Sequence, residues 1–175
     1  GTISGAGTAA AGAAVSVNEI GGQVAATVQN YTLRAAGAVE VDATSSGTIQ
    51  SIAAGVSGGG TTALAGSNTT NAITSKVLAK MASVTQAASS ASLRVQALDS
   101  SIIQSFAGSV AGGGTAAGGA AFALNFLGRT ATNADSSKTV KAEVLNSSPN
   151  SGGAVQVKAL STSLIESMGV AVGAS

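Results

Sequence analysis

The residues that could carry out chemistry in this 175-residue chain are few, and they form no recognised catalytic pattern. The chain contains no His and no Cys, which removes the usual general base, the commonest metal ligand and every thiolate. A Ser or Thr nucleophile would therefore need another base. Lys76 and Lys80 lie near Ser75 and Ser83, but their spacing matches no known Ser–Lys motif. Nucleophilic catalysis is therefore not expected.

Paired carboxylates and a Gly-rich loop are the two remaining features of chemical interest. Glu40 and Asp42 lie two residues apart, which is most simply the solvated face of one strand. The loop Gly58-Gly59-Gly60 is followed by Thr61, and it lacks the Gly-Lys-Ser/Thr ending of a phosphate-binding loop. It also lacks the Asp of calcium-binding nonapeptide repeats. We expect no enzyme activity, no cofactor and no metal site.

The charge of the chain is low and balanced, with 8 basic and 7 acidic residues. Nucleic-acid binding requires clustered Lys and Arg, and the nearest cluster, Lys138 and Lys141 with Glu143, is predicted to be a solvated edge. Long uncharged runs at 43–75 and 100–128 are rich in Gly, Ser, Thr and Asn, unlike membrane-spanning helices. We expect neither a nucleic-acid partner nor membrane insertion.

The apolar residues reach 45% of the chain, but aromatic residues reach only 2%. Ala and Val dominate the apolar set, and small side chains at protein packing density fill only a thin interior. A slender stacked fold suits this composition better than a round domain.

Three copies of one sequence unit align along the chain. Leu93 follows Val39 by 54 residues, and Val155 follows Leu93 by 62. The predicted units are residues 1–57, 58–111 and 112–175, joined as one continuous solenoid. The additional residues of the third unit match a turn-forming insertion at 146–153, which contains the only Pro. The aligned positions are Val39, Leu93 and Val155; Ile49, Ile103 and Ile165; and Asn18, Asn71 and Asn125.

The local period within each copy is two. Val39, Val41 and Ala43 alternate with Glu40 and Asp42, the pattern of a half-buried strand. Residues 73–84 also contain an apolar stripe at helical spacing. The aligned residues 20–28 include two adjacent Gly and a β-branched Thr, which are poor in helices. Because repeats share one structure, the pattern favours strands in both segments.

Short strands that recur in copies predict an all-β parallel solenoid, in which like residues stack into ladders. The Val39 and Ile49 positions would form apolar ladders, and Asn71 would stack with its two counterparts through amide hydrogen bonds. The three Asn residues could equally occupy left-handed turn positions. Because the strand signals are short, we expect each copy to contain two or three coils of roughly 18–27 residues.

The segment at 33–43, Leu-Arg-Ala-Ala-Gly-Ala-Val-Glu-Val-Asp-Ala, resembles the repeats of filamentous-haemagglutinin-like adhesins. The Gly-Gly-Gly-Thr turn, followed by an Ala-rich run that ends in Asn-x-Ile, is similar to repeats of leukotoxin-type large filamentous adhesins. This resemblance spans all three copies. It implies a right-handed parallel β-helix that is secreted across a bacterial outer membrane and displayed at the cell surface as a fibre.

The resemblance implies that the chain is a structural or adhesive shaft segment of such an adhesin. A self-assembling extracellular filament subunit, with solenoids stacked end to end, is the alternative. The expected partners are other copies of the chain, through end-to-end or lateral fibre contacts, and a host or neighbouring-cell surface. Flat-face recognition of ice or carbohydrate is disfavoured, because regular Thr ladders are missing and Tyr31 is the only tyrosine. The chain begins without Met, as expected for a mature piece or an excised fragment.

Overall fold

A computed structural model describes residues 1–175 and shows an all-β chain without helices. The prediction of strands at 73–84 is therefore confirmed over the helical alternative. The strands are β1 (Thr2–Ala6), β2 (Ala9–Ile20), β3 (Gln23–Gln29), β4 (Thr32–Leu33), β5 (Ala38–Ser45), β6 (Thr48–Gly59), β7 (Thr62–Ile73), β8 (Lys76–Ala82), β9 (Thr85–Gln86), β10 (Ser92–Asp99), β11 (Ile102–Gly113), β12 (Ala116–Leu127), β13 (Thr139–Leu145), β14 (Val155–Ser161) and β15 (Leu164–Ala174).

The strands form five parallel sheets, which we number in the order in which the chain enters them. Sheet 1 is β1-β6-β11-β15, sheet 2 is β2-β7-β12, sheet 3 is β3-β8-β13, sheet 4 is β4-β9, and sheet 5 is β5-β10-β14. The chain visits these sheets in the same order on each passage, except that the third passage has no strand in sheet 4 and only a single bridge from Thr85 to Ser148. In the other four sheets, each strand pairs with the strand one complete circuit later.

One circuit is as long as one sequence unit, so the expectation of two or three coils in each copy is wrong. Ile49 pairs directly with Ile103, and no strand pairs within the intervening residues of the same circuit. Strands of up to 12 residues supply the length of this wide circuit. The predicted unit boundaries after residues 57 and 111 fall inside β6 and β11, whereas the chain turns at 60–61 and 114–115.

The insertion of the third circuit is also not where the sequence pattern placed it. Val77 pairs with Val140, and Ile73 pairs with Leu127. The first two partners are farther apart in sequence than the second two. The additional residues therefore lie at 128–138, between β12 and β13, and form a loop. Residues 146–153 instead follow the path of 83–91 in the preceding circuit, as the parallel bridge between Thr85 and Ser148 shows. Residues 146–153 thus occupy the position of the turn segment 83–91 and do not lengthen the circuit.

The cross-section of a circuit has two unlike halves. Sheets 1 and 2 pack face to face and form what we call the narrow half. The side chains buried between these two sheets are small: Ser51, Ala53, Ala63, Ala65, Ser67, Ser105, Ala107 and Ala111. A Cβ atom added to Gly55 would overlap the carbonyl oxygen of Gly66 in the opposite sheet. The two backbones thus approach more closely than in ordinary face-to-face sheets, which are about 10 Å apart.

Sheets 3, 4 and 5 form the second part of the cross-section, which we call the hydrophobic half. Sheet 3 packs against sheet 5 around a core that includes Val77, Met81, Leu93 and Val95. Larger side chains hold these sheets farther apart than the small residues of the narrow half. A cluster of three isoleucines, Ile49, Ile73 and Ile103, lies where the two halves meet.

The wide circuit makes the described chain a broad slab. Sheets 2 and 3 follow each other with little mutual contact, as do sheets 5 and 1. A strand of 12 residues followed by one of 7 spans roughly 60 Å at about 3.3 Å per residue. Each circuit adds only one strand spacing, about 4.8 Å, along the stacking direction. The slender cross-section expected from composition is found only in the narrow half.

Candidate functional site

The most regular polar feature of the interior is a stack of asparagine side chains in sheet 2. Asn18, Asn71 and Asn125 occupy the same register position on β2, β7 and β12. Asn18 Nδ2 donates to Asn71 Oδ1 at 2.9 Å, and Asn71 Nδ2 donates to Asn125 Oδ1 at 2.9 Å. The amides thus form a continuous hydrogen-bonded row parallel to the stacking direction, as in amide ladders of cross-β assemblies.

Serine residues of sheet 1 complete this amide row. Asn71 Nδ2 also donates to Ser51 Oγ at 2.9 Å, and Asn125 Nδ2 donates to Ser105 Oγ at 2.9 Å. The row therefore links the two sheets of the narrow half at a fixed position. None of the three Asn residues has a positive φ, so the left-handed turn interpretation is wrong. Because Asn71 is fully buried, its hydrogen bonds stabilise the fold and are out of reach of a ligand.

The two apolar rows predicted from the repeat are each brought into direct register. Leu93 pairs with Val39 on one side and Val155 on the other. Ile103 likewise pairs with Ile49 and Ile165. Leu93 and Ile103 are fully buried in the middle circuit, whereas Val155 and Ile165 in the last circuit are 55% and 42% exposed. β14 and β15 are the end strands of their sheets, and no further strand pairs with their outer edges.

The outer face of sheet 5 carries a charge cluster. Arg94 Nη2 contacts Glu40 Oε2 at 3.1 Å and Asp42 Oδ2 at 2.6 Å. Glu40 and Asp42 are thus the solvated face of β5, and a cation lies beside them where a third carboxylate would repel them. All three side chains are at least one-third exposed, so these pairs contribute about 1 kcal/mol or less.

A buried ion pair joins the insertion loop to the end of β10, and the sequence pattern did not predict it. Lys138 Nζ lies 2.6 Å from Asp99 Oδ2, and their side chains are 11% and 0% exposed. Asp99 also accepts hydrogen bonds from the hydroxyls of Ser101, Ser161 and Ser163. The interpretation of Lys138 as part of a solvated edge is therefore wrong, whereas its neighbour Lys141 is 58% exposed.

The pKa of Asp99 reflects two opposing effects. Burial raises the pKa of this carboxyl group. The hydrogen bonds from Lys138, Ser101 and Ser161, together with the positive charge of Lys138, outweigh burial and hold the pKa below its ordinary value. Asp99 is therefore ionised at neutral pH, and the pair anchors loop 128–138 over the junction of the two halves.

The outer faces of the narrow half have two open grooves. On sheet 1, a groove of about 500 Å³ runs between the row Gln50, Gln104 and Glu166 and the row Ile52, Phe106 and Met168. The first row is hydrogen-bonded along its length, since Gln50 Nε2 donates to Gln104 Oε1 and Gln104 Nε2 donates to Glu166 Oε2, both at 2.8 Å. On sheet 2, a groove of about 540 Å³ has a floor of Ala and Gly residues, with Leu64 at its edge.

The chain has no group of three or more Asp or Glu side chains close enough to hold a metal ion. None of its segments is a helix of the length and hydropathy required to cross a membrane. Ser75 and Ser83, the hydroxyls considered as nucleophiles, make no side-chain hydrogen bond to Lys76 or Lys80; the nearest ion pair of Lys80 is with Glu143 at 3.7 Å. The polar groups that the structure brings together are the amide row, the charge cluster on sheet 5 and the ion pair between Lys138 and Asp99.

The chain matches no protein-family model, no curated protein and no solved structure.

Proposed function

We propose that this chain is a structural segment of a secreted bacterial surface fibre of the filamentous-adhesin type. In this proposal, three sequence repeats wind as a right-handed parallel β-helix, and the chain performs no catalysis. Its role is to hold a broad, regular surface outside the cell and to carry binding regions of the parent fibre toward other surfaces.

One observation carries the proposal: the same residue positions pair from circuit to circuit in every long sheet. The pairs Val95–Val157 and Val41–Val95 illustrate this register in sheet 5. A parallel stack with a constant register is extended by adding circuits, without any change in cross-section. This is the property that a fibre shaft requires.

Side-chain hydrogen bonds inside the stack and on its outer face support a mechanical role. The Asn71 row and the Gln104 row both run along the stacking direction, and backbone hydrogen bonds join the circuits throughout. Side-chain and backbone bonds are thus aligned with the direction in which a fibre would be pulled. Removal of one circuit would expose bonds in every sheet at once.

A tandem fusion tests the fibre geometry. Two and four copies of the chain are joined so that Ser175 is followed by Gly7 of the next copy, because Ala174 already occupies the register position of Gly5 and Gly58. They should keep one cross-section by small-angle scattering, while the stack grows by roughly 14 Å per copy, three strand spacings of about 4.8 Å. Separate particles joined like beads would contradict the continuous stack. An experimental structure of the same fusion would establish the hand of the coil.

Surface display is tested on the source bacterium. Antibodies raised against the folded chain should label intact cells without permeabilisation. Labelling that requires permeabilised cells would contradict the proposed location and would leave the fold unaffected.

A second candidate function, end-to-end assembly of separate subunits, is favoured by the open circuit position above β14 and β15. The apolar residues Val155 and Ile165 are about half exposed there, and the free strand edges offer unpaired backbone groups. Further circuits of the same polypeptide or another copy of the chain would cover this end equally well. Val157→Lys and Ile165→Lys should block assembly between copies, and long fibres of these variants in electron micrographs would contradict this candidate.

A further inference from the structure

The charged residues of the chain are strongly segregated between the two halves. Of its 15 charged residues, only Glu19 and Glu166 lie on the strands of the narrow half. Both are engaged: Glu19 Oε2 accepts from the backbone of Ala131, and Glu166 accepts from Gln104. The outer faces of the narrow half therefore carry two carboxylates, each hydrogen-bonded to a neutral donor, and no basic residue. All basic residues lie in the hydrophobic half and its loops.

Apart from these two carboxylates, the outer faces of the narrow half expose large apolar side chains. On sheet 1, the exposed apolar side chains of the outer face are Ile3, Ile52, Val56, Phe106, Val110, Leu164, Met168, Val170 and Val172. On sheet 2, they are Val15, Val17, Leu64, Phe122 and Leu124. Contiguous apolar surface of this kind marks an interaction site in a water-exposed protein. Loop 128–138 covers the end of sheet 2 near Ala72, which is fully buried, and leaves the remainder of that face open.

The two faces have complementary relief. Ile52, Phe106 and Met168 stand in one register row on sheet 1 and form a ridge along the stacking direction. Ala13, Gly66 and Ala120 stand in one register row on sheet 2 and form a trough. Both rows repeat with the spacing of parallel strands, so the side chains of the ridge match the positions of the trough.

We propose that the sheet 1 face of one copy docks on the sheet 2 face of a second copy, with the ridge at Ile52, Phe106 and Met168 in the trough at Ala13, Gly66 and Ala120. Because the two faces differ, the contact is heterologous and propagates laterally from copy to copy. This inference deepens the proposed function, since it gives the broad face of the fibre a partner.

The size of the faces predicts a weak contact. The open part of sheet 2 runs from Thr62 to the row of Val17 and Leu124, which flank the buried Thr70. It is roughly 30 Å long and three strands wide, or roughly 14 Å, by ordinary strand dimensions. Two such faces bury roughly 850 Å², which is below the roughly 1,000 Å² of a stable specific interface and typical of a weak contact. The association of the 175-residue chain should therefore depend on concentration.

Sedimentation velocity between about 5 and 200 μM tests the contact. The wild-type average mass should rise with concentration and pass that of a dimer. Gly66→Val fills the trough at a position where an added Cβ meets nothing within 4 Å, and Ile52→Lys places a charge on the ridge. Both variants should remain monomers with unchanged circular dichroism. Leu160 is 40% exposed on the outer face of sheet 5. Leu160→Lys makes the same kind of change there and should behave like the wild type.

Mixing the two variants distinguishes this contact from other assemblies. Ile52→Lys keeps an intact trough and Gly66→Val keeps an intact ridge, so an equimolar mixture should form a complex that stops at two chains. A mixture that stays monomeric, or a wild-type chain that is monomeric at 200 μM, would overturn the proposal. Association that survives both substitutions would assign assembly to the stack ends and overturn the lateral contact. The proposed function would still be decided separately, by the scattering of the tandem fusions and by antibody labelling of intact cells.

Discussion

The amide row of the narrow half provides the sharpest stability test. Asn71 is fully buried, and its side chain takes part in three hydrogen bonds of 2.9 Å, to Asn18, Asn125 and Ser51. Asn71→Ala removes all three. Each such bond contributes about 1 kcal/mol net, so the free energy of unfolding should fall by about 3 kcal/mol.

A matched control lies three residues away on the same strand. Asn68 lies on the outer face of sheet 2, where neighbouring side chains bury its Oδ1 atom without a hydrogen-bond partner. Asn68→Ala makes the same truncation in the same β7 strand but removes an oxygen that accepts no hydrogen bond, so the free energy of unfolding should fall by about 0.5 kcal/mol or less. Urea unfolding, monitored by far-ultraviolet circular dichroism, measures both variants. The slope of the unfolding free energy against urea concentration should be unchanged in each.

Comparison of the two variants decides the energetic role of the row. Equal losses for Asn71→Ala and Asn68→Ala would refute the argument, because they would show that the buried amide bonds add nothing to stability. A double-mutant cycle between Asn71 and Asn125 isolates their mutual bond, with an expected coupling of about 1 kcal/mol. A coupling of zero would show that this bond adds nothing to the stability of the fold.

Three further predictions concern side-chain facing, sheet spacing and pH. Val95→Asp places a carboxylate in the fully buried core and should cost several kcal/mol, whereas Gln96→Asp on the opposite strand face should be nearly neutral; equal melting temperatures would contradict the facing assignment. Gly55→Ala should destabilise by about 1–3 kcal/mol through overpacking between the sheets, while Gly66→Ala, which enters open space, should not; chemical denaturation compares the two. Because the pKa of folded Asp99 lies below its ordinary value of 3.8, its ionised form stabilises the fold above that pH and this contribution is lost as pH falls through the lowered pKa. The difference in unfolding free energy between wild type and Asp99→Asn should thus be at its full value at neutral pH and shrink as the pH falls below 3.8, and a difference independent of pH would contradict the ion pair.

Strand positions and facing were accessible from sequence because they follow local rules. Val39, Val41 and Ala43 alternate with polar residues, and a strand turns successive side chains to opposite faces. The recurrence of this pattern at Leu93 and Val155 then implied parallel pairing, which sheet 5 has. The aligned Asn71 position was found in the same way, although its hydrogen bonds to sheet 1 were not.

The insertion was misplaced because its composition resembled a turn. Residues 146–153 contain Pro and Gly, but 83–91 in the preceding circuit already form a turn segment of similar length. The additional residues at 128–138 include Lys138, whose partner Asp99 is distant in sequence. At the Asp99 position the neighbouring circuits have Ser45 and Ser161, so no repeated pattern marked this buried ion pair.

The sequence by itself determined that the chain is built from strands, which side chains of each strand share a face, and which positions stack. These properties depend on backbone geometry within a few residues and on exact recurrence along the chain. Only the tertiary structure decided the width of a circuit, the close approach of sheets 1 and 2, and the faces left open beside them. Those properties depend on which distant sheets pack together, and small residues such as Gly55 permit a close approach without specifying which backbone comes near.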